Sequence, residues 1–153
     1  MILSRQRAVR VALRPLERFL SRVKRELGLV RAGISICLVS DAEIAKMNQA
    51  FRKKKGPTDV LSFPTEARTR PMRIRGHRAG RKSRASRAEF LGDIAISPAT
   101  ARRNARRLGR SLPDEMRVLI LHGVLHLLGH DHETDRGEMD SVEARLRAKL
   151  RLT

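Results

Sequence analysis

Four of the five histidines in this chain fall within eleven residues, His122-Gly123-Val124-Leu125-His126-Leu127-Leu128-Gly129-His130-Asp131-His132. His122 and His126 are four apart, so on a helix they share one face about 40° apart around the axis. Two imidazoles so placed can reach one metal ion. Gly129 can take the left-handed conformation that ends a helix, after which His132 can swing back as a third ligand. Three neutral imidazoles with one position left open describe a catalytic zinc site more than a structural one. A single histidine on an apolar helix is ordinarily a hydrogen-bonded core residue. That explanation must here cover His122, His126 and His132 together, with glycine between, and the metal reading accounts for all three.

The spacing matches the metzincin pattern H-E-x-x-H-x-x-G-x-x-H at every metal-related position. The glutamate that serves those peptidases as general base is replaced by Gly123. A metal site without that base argues against peptide hydrolysis and leaves the proton-transfer partner unnamed. His130 takes no assigned role, and Asp131 is open between an acceptor behind the ligands and a turn former. Asp93 lies in an apolar segment, where a carboxylate is costly unless paired. It reads equally as a group that orients a ligand or takes a proton and as a structural hydrogen-bond acceptor.

These residues need a frame. Ile2-Leu3, or alternating Val9, Val11 and Leu13, can supply an N-terminal strand. From Pro15 a helical period is clear, with Leu16, Phe19, Leu20, Val23 and Leu27 on one face and Gly28 as its stop. Residues 34–39 read as a strand. Ser40 with Glu43 makes a capping box for a helix over 41–51. Lys53-Lys54-Lys55-Gly56-Pro57 is a basic loop, and residues 60–63 and 90–96 are strands. Ser97-Pro98 starts a helix bearing Arg102, Arg103, Arg106 and Arg107. Pro113 opens another, apolar nearly all round over 118–128 and therefore buried. A last helix over 134–150 carries Met139, Val142, Leu146 and Leu150 as its apolar stripe. The fold class is α+β: a single domain over 1–153, with a small mixed sheet, four to five helices and the metal-binding helix buried at the centre.

The frame carries an extreme charge. Of 153 residues, 34 are Lys or Arg and 16 Asp or Glu, a formal net charge of +18. Such a surface attracts polyanions, with an affinity that falls steeply with salt. Residues 65–89 hold nine Lys and Arg without an apolar period, and the expectation there is a mobile basic arm. With no Trp or Tyr and four Phe, base-stacking platforms of the RRM or OB type are not expected, and RNA would be held mainly through phosphates and shape. One cysteine, Cys37, excludes a disulfide framework and paired-thiolate zinc fingers. The longest uncharged apolar stretch, residues 118–129, is too short for a bilayer, which needs about 20 residues. The Arg-rich start lacks the apolar run of a secretory signal. The expectation is a cytoplasmic protein with no membrane partner.

The segment HGVLHLLGHDH resembles the signature of the YbeY family, bacterial zinc-dependent endoribonucleases of ribosomal RNA maturation. Asn48-Gln49-Ala50-Phe51-Arg52 with Pro57-Thr58-Asp59-Val60-Leu61-Ser62-Phe63-Pro64 resembles that family's central block, and Leu91-Gly92-Asp93-Ile94-Ala95-Ile96-Ser97 its following strand. The family commonly has an aromatic at the position of His130, and a shorter connection than residues 65–89. The resemblance implies His122, His126 and His132 as ligands of one zinc ion. It also implies Arg52 as a catalytic arginine near the metal, where its planar fork suits a scissile phosphate. It implies single-stranded RNA and ribosomal RNA as substrates, the small ribosomal subunit and assembly proteins as partners, a role in ribosome quality control, and no DNA specificity. The rival reading is a non-catalytic, zinc-containing ribosome assembly factor that binds rRNA.

Overall fold

A computed structural model describes residues 1–65, 89–129 and 137–152. Four strands form one sheet: β1 (Ile2–Ser4), β2 (Gly33–Leu38), β3 (Val60–Pro64) and β4 (Phe90–Ile96), in the order β1-β2-β4-β3. The β1–β2 and β2–β4 pairs are parallel and β3–β4 is antiparallel, which makes the sheet mixed. Five helices complete the described fold: α1 (Leu13–Glu26), α2 (Asp41–Arg52), α3 (Pro98–Leu108), α4 (Leu112–Leu127) and α5 (Glu138–Lys149). The expected α+β architecture is therefore the observed one.

Strand alternation sorts the side chains onto two faces. Ile34, Ile36, Leu38, Ile94 and Ile96 point to one face and share a core with α1, α4 and α5. Leu61 and Ala95 point to the other, where they meet Val39 and Ile44 beneath α2, with Phe63 and Cys37 partly buried beside them. Helix α4 lies at the centre of the larger core. Met116, Ile120, Leu121, Val124 and Leu125 are all fully buried, as an all-round apolar helix requires.

Local chemistry sets the helix ends. The Ser40, Ser97 and Ser111 hydroxyls accept hydrogen bonds from the backbone N–H of Glu43, Thr100 and Asp114, each at the start of its helix. Only the serine half of the expected capping box forms at α2, because the Glu43 carboxylate pairs with Arg5 instead. Helix α1 begins two residues earlier than expected, at Leu13, and β3 extends through Pro64. A proline is tolerated there because β3 is the last strand in the sheet order.

The ends of the Arg-rich stretch belong to the sheet. Thr65 N–H donates to the Leu91 carbonyl at 3.1 Å, and the Glu89 carbonyl accepts from Gly33 N–H at 2.8 Å. The expected mobile arm otherwise lies outside the described residues, as do His130, Asp131, His132 and the first turn expected of the last helix.

Candidate metal centre

The periodicity of α4 delivers the histidine pair as expected. His122 and His126 lie on the last turns of the helix, and their Nε2 atoms are 3.0 Å apart. The rings meet nearly edge to face, with centroids 4.6 Å apart. Both residues are half-buried, at the border of an otherwise buried helix. Beyond them, Gly129 has φ 94°, the left-handed turn by which the chain leaves the helix. His132, the third ligand expected from the spacing, lies outside the described residues.

A residue that the sequence reading passed over completes this corner. Glu143 of α5 places Oε1 3.3 Å from His122 Nδ1, and its side chain is only 13% exposed. A proton on Nδ1, donated to the carboxylate, leaves the Nε2 lone pair directed toward His126. Carboxylates hold zinc-binding histidines in this way. The signal was present in the sequence: Glu143 follows Val142 on the apolar stripe of α5, where an exposed acid would not be expected.

The donor set fits a zinc ion. Two imidazole nitrogens on one tetrahedral zinc stand about 3.3 Å apart, given Zn–N bonds of about 2.0–2.1 Å. The observed 3.0 Å is close to that, with the tautomer of His122 set from behind.

Gly123 has a second meaning in the structure. A Cβ at this position would stand 2.9 Å from Ile94 Cγ2 and 3.1 Å from Ile94 Cδ1. The position faces the sheet, where helix and strand approach too closely for a side chain, and a glutamate could not be housed there. Its carbonyl is tied as well, accepting a hydrogen bond from Ser62 Oγ at 2.9 Å. Gly92 plays the matching part on β4. Its φ is +147°, and a Cβ would lie 2.3 Å from the Phe63 carbonyl oxygen and 2.8 Å from Leu127 Cδ2.

Arg52 sits elsewhere. It is the last residue of α2, exposed, with no hydrogen bond or ion pair among the described residues. The structure does not bring it against the histidines: α2 covers the face of the sheet opposite α4. The link between them runs through β3. Phe51 packs on Phe63 with ring centroids 4.9 Å apart, and the neighbouring Ser62 bonds to Gly123. Beneath Arg52, buried Asn48 donates to the Gly56 carbonyl at 3.0 Å and so shapes the basic loop.

Asp93 is exposed, so the expected cost of a buried acid does not arise. It pairs in register with Phe63 and points away from the α4 face, since its neighbour Ile94 meets Gly123. The perturbed carboxyls lie at the helix junctions instead. Burial raises the Asp41 pKa, but hydrogen bonds from Ser97, Thr100 and Arg103 outweigh it and hold the carboxyl below its ordinary value. Glu115 is pushed up by burial, against the opposing charge of Arg110 at 3.2 Å.

No helix among the described residues is long and apolar enough to cross a membrane. The basic face expected of α3 is present, with Arg102, Arg103, Arg106 and Arg107 all exposed.

The sequence profile described as endoribonuclease YbeY matches residues 3–151. The endoribonuclease YbeY of Koribacter versatilis is 41% identical over 152 residues, which cover 99% of this chain and 86% of that protein. That of Solibacter usitatus is 43% identical over 148 residues, covering 96% and 86%. The solution structure of TM1509 from Thermotoga maritima is similar with a TM-score of 0.59 at 28% identity, covering 98% of this chain and 89% of that one. With a match along nearly its whole length and relatives above 40% identity, the chain belongs to the YbeY family of endoribonucleases.

Proposed function

We propose that this protein is a zinc-dependent endoribonuclease that cleaves single-stranded RNA, with ribosomal RNA as its substrate. The observation that carries this reading is the His122–His126 pair, its Nε2 atoms 3.0 Å apart and His122 held by Glu143. His122, His126 and His132 would hold one zinc ion, whose chemistry is to polarise a phosphoryl oxygen or to lower the pKa of a bound water toward about 7. Glu143 keeps the His122 lone pair on Nε2. Arg52, at the end of α2, offers two parallel N–H donors to a phosphate of the bound strand and so helps position it. The exposed arginines of α3 and Lys53–Lys55 draw the polyanion in.

Family membership supports RNA as the substrate, and the lopsided charge supports a polyanion of any kind. Action within ribosome maturation and quality control, with the small subunit and assembly proteins as partners in the cytoplasm, extends the same reading. Incubating single-stranded RNA with zinc-loaded protein and with His126→Ala tests it. Cleavage by the first and not the second is expected. Tight zinc binding and rRNA binding with no cleavage by either would select the non-catalytic assembly factor.

A further inference from the structure

Phe51 is the most exposed large apolar residue of the described chain, at 70%, ahead of Val30 and Met1. Single exposed apolar residues are ordinary on protein surfaces and need no explanation by themselves. Phe51 is not single. Its ring packs nearly edge to face on Phe63, with centroids 4.9 Å apart and planes at 67°, so one side is held while the rest stays open. Phe63 is anchored in turn, half-buried on β3 against the core beneath α2. Two of the four aromatic side chains in the protein thus meet at the surface, in a chain that has few to spare.

The surroundings say what such a ring would meet. Arg52, Lys53, Lys54 and Lys55 follow it directly and all are exposed. Lys53 has φ 54° and closes the helix, and the loop is held by Asn48 through the Gly56 carbonyl. A fixed, open aromatic ring beside four cations suits a ligand that is both flat and anionic, which a folded protein surface is not. An unpaired nucleobase on its phosphate backbone is both. The position is also joined to the histidine helix, because Phe63 and Ser62 are neighbours on the strand whose Ser62 bonds to Gly123.

We infer that Phe51 is a stacking platform for one unpaired base of the RNA strand, with Arg52 and Lys53–Lys55 holding the adjoining phosphates. The inference rests on the RNA-cleaving role proposed above and adds the reason for a single-strand preference. A base within a duplex has its faces covered by neighbours and cannot lie on the ring. It also adds to the expectation that RNA is held mainly by phosphates and shape: one supported phenylalanine suffices for one base, without an RRM or OB surface.

The test titrates the full-length protein on ice with a short single-stranded oligoribonucleotide carrying 2-aminopurine, and with an abasic ribose-phosphate strand of the same length. Phe51→Ala and Phe51→Leu should weaken binding of the base-bearing strand by about 5- to 150-fold, the range found when base–aromatic stacking is removed. Phe51→Trp should retain it. All variants should bind the abasic strand equally and melt with the wild type, since the side chain is largely outside the core. Leucine keeps an apolar contact with Phe63 but offers no flat face, so a loss shared by Ala and Leu separates stacking from local packing. Equal affinity of wild type, Phe51→Ala and Phe51→Leu for the base-bearing strand would overturn the platform and leave Phe51 as a contact for another protein. A wild type that binds neither strand would overturn the RNA-cleaving role together with the platform.

Discussion

Glu143 stands behind His122, its Oε1 3.3 Å from Nδ1, on a helix that follows the histidine helix in the chain. Helix α5 thereby contributes one side chain to the corner proposed to hold zinc. The carboxylate makes the imidazole a better donor and removes its freedom to rotate. Zinc affinity of Glu143→Ala should fall by about 10- to 100-fold, as for other groups that support a metal-binding histidine. Glu143→Gln keeps an acceptor without the charge and should fall between the two. Competition with a chromophoric chelator measures this without any RNA, and unchanged affinity in the alanine variant would remove Glu143 from the site.

The two close-packed glycines should be costly to replace. At Gly123 a methyl group meets Ile94 at 2.9 Å, and overpacking of this kind costs about 1–3 kcal/mol, offset by the better helix propensity of alanine of about 1 kcal/mol. Gly92→Ala should be worse, by about 3 kcal/mol or more, because φ is +147° and the obstacle is a carbonyl oxygen at 2.3 Å. Urea unfolding of the two variants should rank them in that order. The reverse order would mean that β4 yields more easily than α4.

The histidine pair was legible because helical spacing is a strong constraint: histidines four apart on an apolar run can hardly avoid sharing a face. Two helix starts were legible for the same local reason, with Ser40 and Ser97 serving as the expected caps, whereas the Ser111 cap of α4 was not read. What the sequence hid depends on contacts between distant segments. Glu143 is 21 positions from His122 and Ser62 is 61 from Gly123; the place of Glu143 beside an apolar stripe hinted at burial, but no local pattern names either partner. Gly123 carried two meanings, of which only the missing base could be read from a motif. Its fit against Ile94 needed the packed sheet. Asp93 misled for a related reason: its apolar neighbours suggested burial, yet alternation turns it to the exposed side of β4, away from α4.

Arg52→Ala should separate chemistry from folding. The side chain is exposed and unpaired among the described residues, so melting temperature and zinc content should stay at the wild-type level. Loss of a phosphate contact that positions the strand lowers turnover by about 100-fold. Single-turnover cleavage at saturating protein reads this directly. An unchanged rate would reduce Arg52 to one cation of the basic surface.

The junction of α2 and α3 should make stability depend on acid in a defined direction. Asp41 Oδ1 accepts from Ser97 Oγ at 2.5 Å and Thr100 Oγ1 at 2.7 Å, and Oδ2 accepts from Arg103 at 2.9 Å. Burial opposes the charge, but these bonds outweigh it and leave the folded carboxyl with a lowered pKa. A lowered pKa means that the unfolded chain takes up the proton first as pH falls. The stabilisation is therefore fully present above the ordinary aspartate value of about 3.9 and is lost as pH drops through the lowered one. Asp41→Asn should cost about 1–2 kcal/mol at neutral pH, the worth of hydrogen bonds to a partly exposed charged group. The gap between variant and wild type should persist down to about pH 5 and close below about pH 4. Glu115, whose pKa is raised, changes stability in the opposite sense, but it is common to both proteins and cancels in the difference. Urea unfolding at neutral pH and at about pH 3 measures the gap, and an equal gap at both would show that the Asp41 bonds do not depend on its charge.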